Sequence, residues 1–413
     1  MAEIALLKCS NCGREYAPGS VVYTCPVCGE VGTLDVLYDY PALRAHLDRD
    51  ALSGGEASMW RFRALLPLAD SSPVPPLAVG MTPLYEAPRL AADLGLAQAW
   101  VKDDGRNPTG SLKDRASALV VARAMEQGVG IVSAASTGNA AAALAGVCAS
   151  VGWSPIIFVP ASAPEAKIAQ LLVYGATVLL VEGTYDQAFD LCMELSIEQG
   201  WYCRNTGVNP FTAEGKKTVA FEIAGQLNWD VPDAVVVTVG DGNILAGVHK
   251  GFADLHRLGW ITRIPRLIGV QAEGSSPLVS AWQNGQSAAD MQPVDAQTVA
   301  DSISAGLPRD RSKALRAVRE TDGAFVAVPD DAIIASIPAL ARLTGVFAEP
   351  AAAAAYAGCR RALEMGYIQP DERVLLLVTG SGLKDVRRAQ QSVSGGLRVP
   401  PDADAVRRAL GIS

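Results

Sequence analysis

The segment Asn107-Pro-Thr-Gly-Ser-Leu-Lys-Asp-Arg115 puts an amine, Lys113, where a glycine- and proline-containing loop opens a helix. At a helix start the amine lies near the positive end of the dipole and near unpaired N–H groups, which lowers its pKa. An amine that loses its proton more readily is a better carbonyl nucleophile and proton carrier. A lysine in such a loop is, taken alone, most often a surface residue. Three further segments change that reading. Ser136-Thr-Gly-Asn-Ala140 follows an apolar run and begins an Ala-rich helix. Its small residues admit a ligand to the backbone, and its hydroxyls and N–H groups suit a carboxylate, although an ordinary helix cap needs the same residues. Val239-Gly-Asp-Gly-Asn-Ile244 is a tight turn whose successive N–H groups can cradle a phosphate. Residue 245 is Leu, so the dinucleotide pattern Gly-x-Gly-x-x-Gly fails, and a plain strand-to-helix turn remains the alternative. Thr379-Gly-Ser-Gly-Leu-Lys-Asp385 closes the last apolar run with a hydroxyl able to meet a ring nitrogen.

A separate chemistry sits at the N-terminus. Cys9-Ser-Asn-Cys12 and Cys25-Pro-Val-Cys28 are two knuckles, each followed by glycine. Such knuckles bring four thiolates onto one tetrahedral Zn2+ at about 2.3 Å. The alternative is a ribbon that folds without metal by docking on the rest of the chain. Cys148, Cys192, Cys203 and Cys359 lie in apolar segments and read as core.

These groups need a frame. Short apolar runs begin at Gly130, Pro155, Thr177, Ala234, Arg266 and Arg373, with Ala99-Trp-Val-Lys before the lysine loop. Lacking strict alternation, they read as strands covered on both faces. Helical patterns between them stop at Gly128, Gly152, Gly175, Gly200, Gly259 and Gly366. The alternation predicts α/β architecture with parallel sheets and right-handed crossovers, where ligands gather at the carboxyl ends of strands. Hydrophobic residues make up 49% and charged residues 19%, as in a globular protein. A net charge of -8 argues against nucleic acid or an anionic membrane as partner. There is neither a signal-like leader nor an apolar run of about 18 residues, so the expectation is a soluble cytoplasmic protein. Three histidines, His46, His249 and His256, are too few and too scattered for chemistry built on His.

Taken together, the four segments resemble the fold type II pyridoxal-5'-phosphate (PLP) enzymes, and most of all the threonine synthases. The resemblance runs from Thr82-Pro-Leu84 to Asp385, and Gly110-Ser-Leu-Lys-Asp-Arg115 and the paired cysteines give it its threonine-synthase character. It implies two open, mostly parallel α/β/α domains behind a zinc-ribbon-like segment (1–38) and a connecting arm (39–80). The large PLP-binding domain would comprise 81–115 and 230–395, and the small domain 116–229. Lys113 would carry PLP as a Schiff base, Asn139 would meet its 3'-oxygen, Gly240, Asp241, Gly242, Asn243 and Ile244 would hold its phosphate, and Thr379 would face the pyridine nitrogen. Ser136, Thr137, Gly138 and Thr109 would bind an amino-acid substrate. Lys167, Asn209 and Arg115 are the candidates for a phosphate on that substrate. The implied reaction moves protons from Cα and Cβ, expels phosphate from Cγ and adds water at Cβ, in a homodimer. Two departures stand out. Leu112 replaces the usual Phe before the lysine, and the phosphate loop is one residue short, with Asp241 setting a carboxylate near the expected phosphate. The same motifs serve threonine or serine dehydratase, diaminopropionate ammonia-lyase and cysteate synthase, and a non-catalytic binding protein on this fold is a further alternative. The segment Val299–Leu307 is shared across the fold type and does not discriminate among them.

Overall fold

The apolar runs become strands of two parallel sheets, in a computed structural model that describes residues 3–52, 55–163 and 165–412. Ser53, where the Ser/Gly/Pro-rich part of the arm begins, and Pro164, ahead of Lys167, lie outside the described residues. The chain opens with an antiparallel ribbon of β1 (Ile4–Cys9), β2 (Glu15–Tyr16) and β3 (Leu34–Tyr38), ordered β2-β1-β3. Next come β4 (Leu84–Glu86) and β5 (Gln98–Asp103), after which the chain leaves to build a second sheet. That sheet holds β6 (Val132–Ala135), β7 (Ile156–Pro160), β8 (Thr177–Val181) and β9 (Tyr202–Cys203) in the parallel order β8-β7-β6-β9. The chain then returns as β10 (Ala234–Thr238), β11 (Arg266–Ala272), β12 (Ala324–Val328) and β13 (Arg373–Val378). The six-stranded sheet runs β12-β11-β10-β13-β5-β4, parallel except for the β4 edge.

The strand sequences follow from where they sit. Along β10, Val235 and Val237 enter one apolar cluster while Ala234 and Val236 enter another. Along β13, Leu375 and Leu377 separate in the same way from Val374, Leu376 and Val378. Both faces are covered, so every position is apolar, and each fully buried Val or Leu contributes about 1.5–3 kcal/mol. The six glycines expected to stop helices all take φ between +68° and +79°. Cys148, Cys192, Cys203 and Cys359 are buried, as expected.

Three strands of the two main sheets escaped the sequence, one of them the two-residue β9. β4 is a three-residue antiparallel edge, too short to show a period. β12 is five residues long and follows Gly323, where a Cβ would lie 2.1 Å from the Leu267 carbonyl oxygen. Only glycine lets β12 approach β11 this closely. The arm is also more than a spacer, because Met59, Trp60, Phe62 and Leu65 are buried in the core shared with the large sheet. Among the described residues no helix is long and apolar enough to cross a membrane.

Candidate active site

Lys113 is the first residue of the Lys113–Glu126 helix, reached from β5 through a short turn at Asp104–Arg106 and the loop that follows it. The loop that delivers it is braced from behind. The Thr109 backbone N–H donates to Asp114 Oδ2 at 2.7 Å, and the Thr109 hydroxyl donates to Asp114 Oδ1. Arg115, fully buried, donates through Nε to Asp104 Oδ2 at 2.6 Å and through Nη2 to Glu222 Oε2 at 2.8 Å. Lys102 adds a bond to Glu222 Oε2 at 2.7 Å. The helix start is thus fixed by buried ion pairs on one side, leaving the Lys113 side chain to the other.

On that other side lies a cavity of about 390 Å³ lined by Lys113, Ser136–Asn139, Gly240–Leu245, Asp301–Ser304 and Thr379. The four segments read from the sequence therefore converge, at the carboxyl ends of β5, β6, β10 and β13. An adjoining cavity of about 560 Å³ shares Thr137–Asn139, Asp301 and Ser302 and adds Lys167, Glu349 and Lys384. Burial pushes the Lys113 amine below its ordinary range, Glu349 pulls it back, and the Arg204 cation lowers it again. Asn139 Nδ2 donates to Glu349 Oε1 at 2.8 Å and to Ser302 Oγ at 3.3 Å. Burial raises the Glu349 carboxyl above its usual range, against the opposing pull of Lys113 and the Asn139 bond. Lys384 Nζ donates to Gln170 Oε1 at 3.1 Å, and burial lowers its pKa.

The glycine turn is built for close approach. Gly242 has φ +88°, and a Cβ there would meet Ala314 Cβ at 2.8 Å. At Gly240 a Cβ would lie 2.9 Å from Ile303 Cα. The Asn243–Arg257 helix that follows has no side-chain cap, so its first N–H groups are free for an anion. Asn243 is held at both ends, accepting from Lys216 Nζ and donating to Asp310 Oδ2 at 2.7 Å. Asp241 accepts from the Arg309 backbone N–H at 3.3 Å, and burial raises its carboxyl above the usual range.

Three expected substrate groups are not brought to the cavity. Thr109 is spent on Asp114, and Arg115 on Asp104 and Glu222. Asn209 donates to the Cys203 carbonyl at 2.9 Å and accepts from the Phe211 N–H at 3.0 Å. Lys167 lines the adjoining cavity and pairs with Asp301. Two cations that the sequence reading missed line the cavity instead. Arg204 follows the two-residue strand β9, donating from Nη1 to Thr206 Oγ1 at 2.8 Å and from Nε to Ser117 Oγ at 3.2 Å. Its Nη2 has no partner among the described residues, and burial lowers its pKa to about 10. Lys216 ends the Phe211–Lys216 helix, and burial, with Arg204 and Lys113 nearby, pushes its amine well below its ordinary value. Only the doublet Arg204-Asn205 and the polar run around Asn209 could have hinted at them. Glu349 was missed because an acid before Pro350 reads as a helix start.

PLP fits the cavity on this chain's own evidence. Arg204 Nη2, Asn205 Nδ2 and Thr238 Oγ1 are buried polar atoms without partners, and all three residues line it. Buried polar groups are rarely left so unless a ligand completes them. Lys113, the open helix start and Lys216 supply the amine and the phosphate donors that PLP needs.

At the N-terminus, the sulfur atoms of Cys9, Cys12, Cys25 and Cys28 lie within 4.8 Å of one another. Tetrahedral Zn–S bonds of about 2.3 Å require sulfurs about 3.8 Å apart, and Cys12 Sγ and Cys25 Sγ are 3.9 Å apart. The donor set is compatible with a structural zinc.

Residues 76–380 match the family model described as pyridoxal-phosphate dependent enzyme. A threonine synthase of Methanocaldococcus jannaschii is 39% identical over 407 residues, covering 98% of this chain and 99% of that protein. One from Methanosarcina acetivorans is 40% identical over 405 residues, covering 98% of each. Among solved structures, the processed form of threonine deaminase isoform 2 from Solanum lycopersicum superposes with a TM-score of 0.64 at 23% identity, covering 76% of this chain and 83% of that one. This last likeness speaks for the fold.

Proposed function

The chain belongs to the pyridoxal-phosphate dependent enzymes, within their threonine synthase branch, and we propose that it converts O-phospho-L-homoserine and water to L-threonine and phosphate. The observation that carries this reading is the buried Arg204 guanidinium, its Nη2 unpartnered among the described residues, beside the Lys216 amine in a cavity already furnished with an anion-binding loop. A dehydratase acting on serine or threonine has one phosphate to hold, that of PLP. This cavity has donors for two. Curated relatives named threonine synthase at 39–40% identity over nearly the full chain support the same choice.

In this reading Lys113 holds the cofactor, Gly240–Ile244 and Lys216 hold its phosphate, Asn139 meets its 3'-oxygen and Thr379 its ring nitrogen. Bound PLP supplies an electron-poor ring that stabilises negative charge at the substrate Cα. The Lys113 amine, its pKa lowered by burial, takes the Cα proton and carries protons between Cα and Cβ. Ser136, Thr137 and Gly138 hold the substrate carboxylate through hydroxyls and N–H groups at the start of the Asn139–Ser150 helix. Arg204 Nη2 takes the leaving phosphate, and Lys167 with Asp301 guards the mouth. Glu349 orients Asn139 by accepting from its Nδ2 at 2.8 Å. Residues 81–115 with 230–395 form the cofactor domain and 116–229 the smaller one, in a cytoplasmic homodimer.

The decisive assay gives PLP-loaded protein O-phospho-L-homoserine and, separately, L-threonine and L-serine. Equal phosphate and threonine from the first, with little oxo acid from the others, is the expected result. Oxo acid and ammonia from threonine or serine, with phosphohomoserine inert, would make it a dehydratase.

A further inference from the structure

The cysteine ribbon lies far from Lys113 in sequence, yet a continuous line of bonds runs from it to the phosphate loop. Gly32 closes against the four cysteines: a Cβ there would meet Cys28 Cβ at 2.6 Å, Cys25 Cβ at 2.7 Å and Cys9 Sγ at 3.3 Å. The next residue, Thr33, is tied to the cluster on both sides. The Cys25 N–H donates to the Gly32 carbonyl at 2.8 Å, and the Ser10 N–H to the Thr33 carbonyl at 2.9 Å. The Thr33 hydroxyl donates to Asp310 Oδ1 at 2.7 Å, and so accepts from the Ser10 hydroxyl, 3.0 Å away. The other Asp310 oxygen accepts from Asn243 Nδ2 at 2.7 Å, while Asn243 Oδ1 receives Lys216. The Asp310 backbone N–H donates to the Asp241 carbonyl at 2.8 Å. Every side chain from Thr33 to Lys216 on this line is buried, with Asp310 at 0% exposure.

We infer that the cysteine ribbon is a positioning device for the cofactor-phosphate loop, acting through Thr33 and Asp310. Asp310 is a carboxylate shared between the ribbon and the loop. Its two oxygens take one donor from each, so displacing Thr33 re-aims Asp310, and Asp310 aims Asn243 and, through it, Lys216. Other docking contacts run alongside: the Ser312 hydroxyl donates to the Ser10 carbonyl at 3.0 Å, away from the N–H and hydroxyl by which Ser10 holds Thr33, and Lys313 Nζ donates to the Leu34 carbonyl at 2.7 Å while lying 3.9 Å from Asp310 Oδ1. Zinc held by Cys9, Cys12, Cys25 and Cys28 would fix Gly32 and Thr33, and with them the geometry that receives phosphate. The inference rests on the reading of Gly240–Ile244 as the PLP-phosphate site.

The test measures the dissociation constant of PLP, together with the 31P resonance of the bound cofactor, in wild type, Thr33→Val, Ser312→Ala and the double variant C12S/C28S. Thr33→Val keeps the shape of a buried side chain and removes the hydrogen bond to the Asp310 carboxylate together with the one accepted from the Ser10 hydroxyl, so the constant is expected to rise about tenfold and the resonance to move. C12S/C28S is expected to weaken PLP at least as much, and Ser312→Ala to leave both readouts at their wild-type values. A Thr33→Val protein that binds PLP as wild type does, with an unmoved resonance, overturns the inference. So does an equal loss in Ser312→Ala, which would mean that any loosening of the ribbon suffices. A wild type that binds no PLP would instead sink the cofactor reading on which the inference rests.

Discussion

Replacing Arg204 by Gln separates a phosphate-bearing substrate from its unphosphorylated analogues. Arg204 is anchored by Ser117 and Thr206 through two of its nitrogens, and Nη2 is left without a partner among the described residues. A hydrogen bond to a charged group contributes about 1.5–3 kcal/mol, and each 1.4 kcal/mol is tenfold. Removing the guanidinium therefore lowers kcat/KM for O-phospho-L-homoserine about 10- to 150-fold. A rise in KM would show that the contact is made in the bound substrate, and a fall in kcat that it strengthens as phosphate departs. Because the cofactor phosphate is assigned to the loop and Lys216, PLP affinity and the visible spectrum should stay as in wild type. Arg204→Lys, which keeps a point charge, should recover part of the loss. Continuous phosphate release supplies the rate, with slow conversion of L-serine as the unphosphorylated control. A kcat/KM for phosphohomoserine that stays within about threefold of wild type refutes the assignment, since that is less than the weakest charged hydrogen bond supplies. So would a parallel collapse of PLP binding, which would place Arg204 on the cofactor instead.

Lys113→Ala should abolish both turnover and the visible absorption of a covalently held cofactor, and absorption that survives would contradict the role of Lys113. Gly242→Ala forces a side chain into φ +88° and against Ala314, so PLP affinity should fall while L-serine and phosphohomoserine turnover drop together; unchanged affinity would dissociate this loop from phosphate. Glu222→Gln breaks a buried pair with Arg115 and Lys102 and should cost about 3–5 kcal/mol in denaturant unfolding. Although burial opposes it, Arg115 and Lys102 hold the Glu222 carboxyl down at about 2. Its contribution is then full above the ordinary glutamate pKa and fades as pH falls towards 2, so the stability gap between wild type and Glu222→Gln should narrow over that acid window. Protein purified without chelator should hold zinc, and Cys12→Ser should lose most of it by metal analysis; a zinc-free wild type would leave the ribbon as a fold without metal.

What was legible in the sequence was what repeats or is local. β10 and β13 announce themselves because both faces are covered, and the helix stops because glycine takes positive φ at each. The lysine, Ser/Thr, glycine and Thr379 segments were legible because each occupies a strand-to-helix junction of the same kind. Arg204 and Lys216 were not, because their significance depends on burial. In sequence Arg115 looks as good a phosphate ligand as Arg204, and only the fold reveals that Asp104 and Glu222 already occupy Arg115. Asp310 was invisible for a related reason: its partners lie 277 and 67 residues away. Long-range polar pairing leaves no period for a sequence to display.

The contrast between the two faces of the Lys113 helix start argues for where the chemistry is. Behind the lysine, Arg115, Asp104, Glu222, Lys102 and Thr82 saturate one another. Replacing such a buried ionic network by apolar residues is often neutral for stability, so stability alone does not account for it. What the network does provide is direction: a planar guanidinium held by two carboxylates fixes the helix start in rotation as well as position, and Lys113 lies two residues away. In front of the lysine the opposite holds. Of the seven buried side-chain polar atoms without partners among the described residues, three belong to residues lining this one cavity. A fold that completes its ion pairs on one side of a lysine and leaves an arginine, an amide and a hydroxyl incomplete on the other has reserved that second side for a polar ligand.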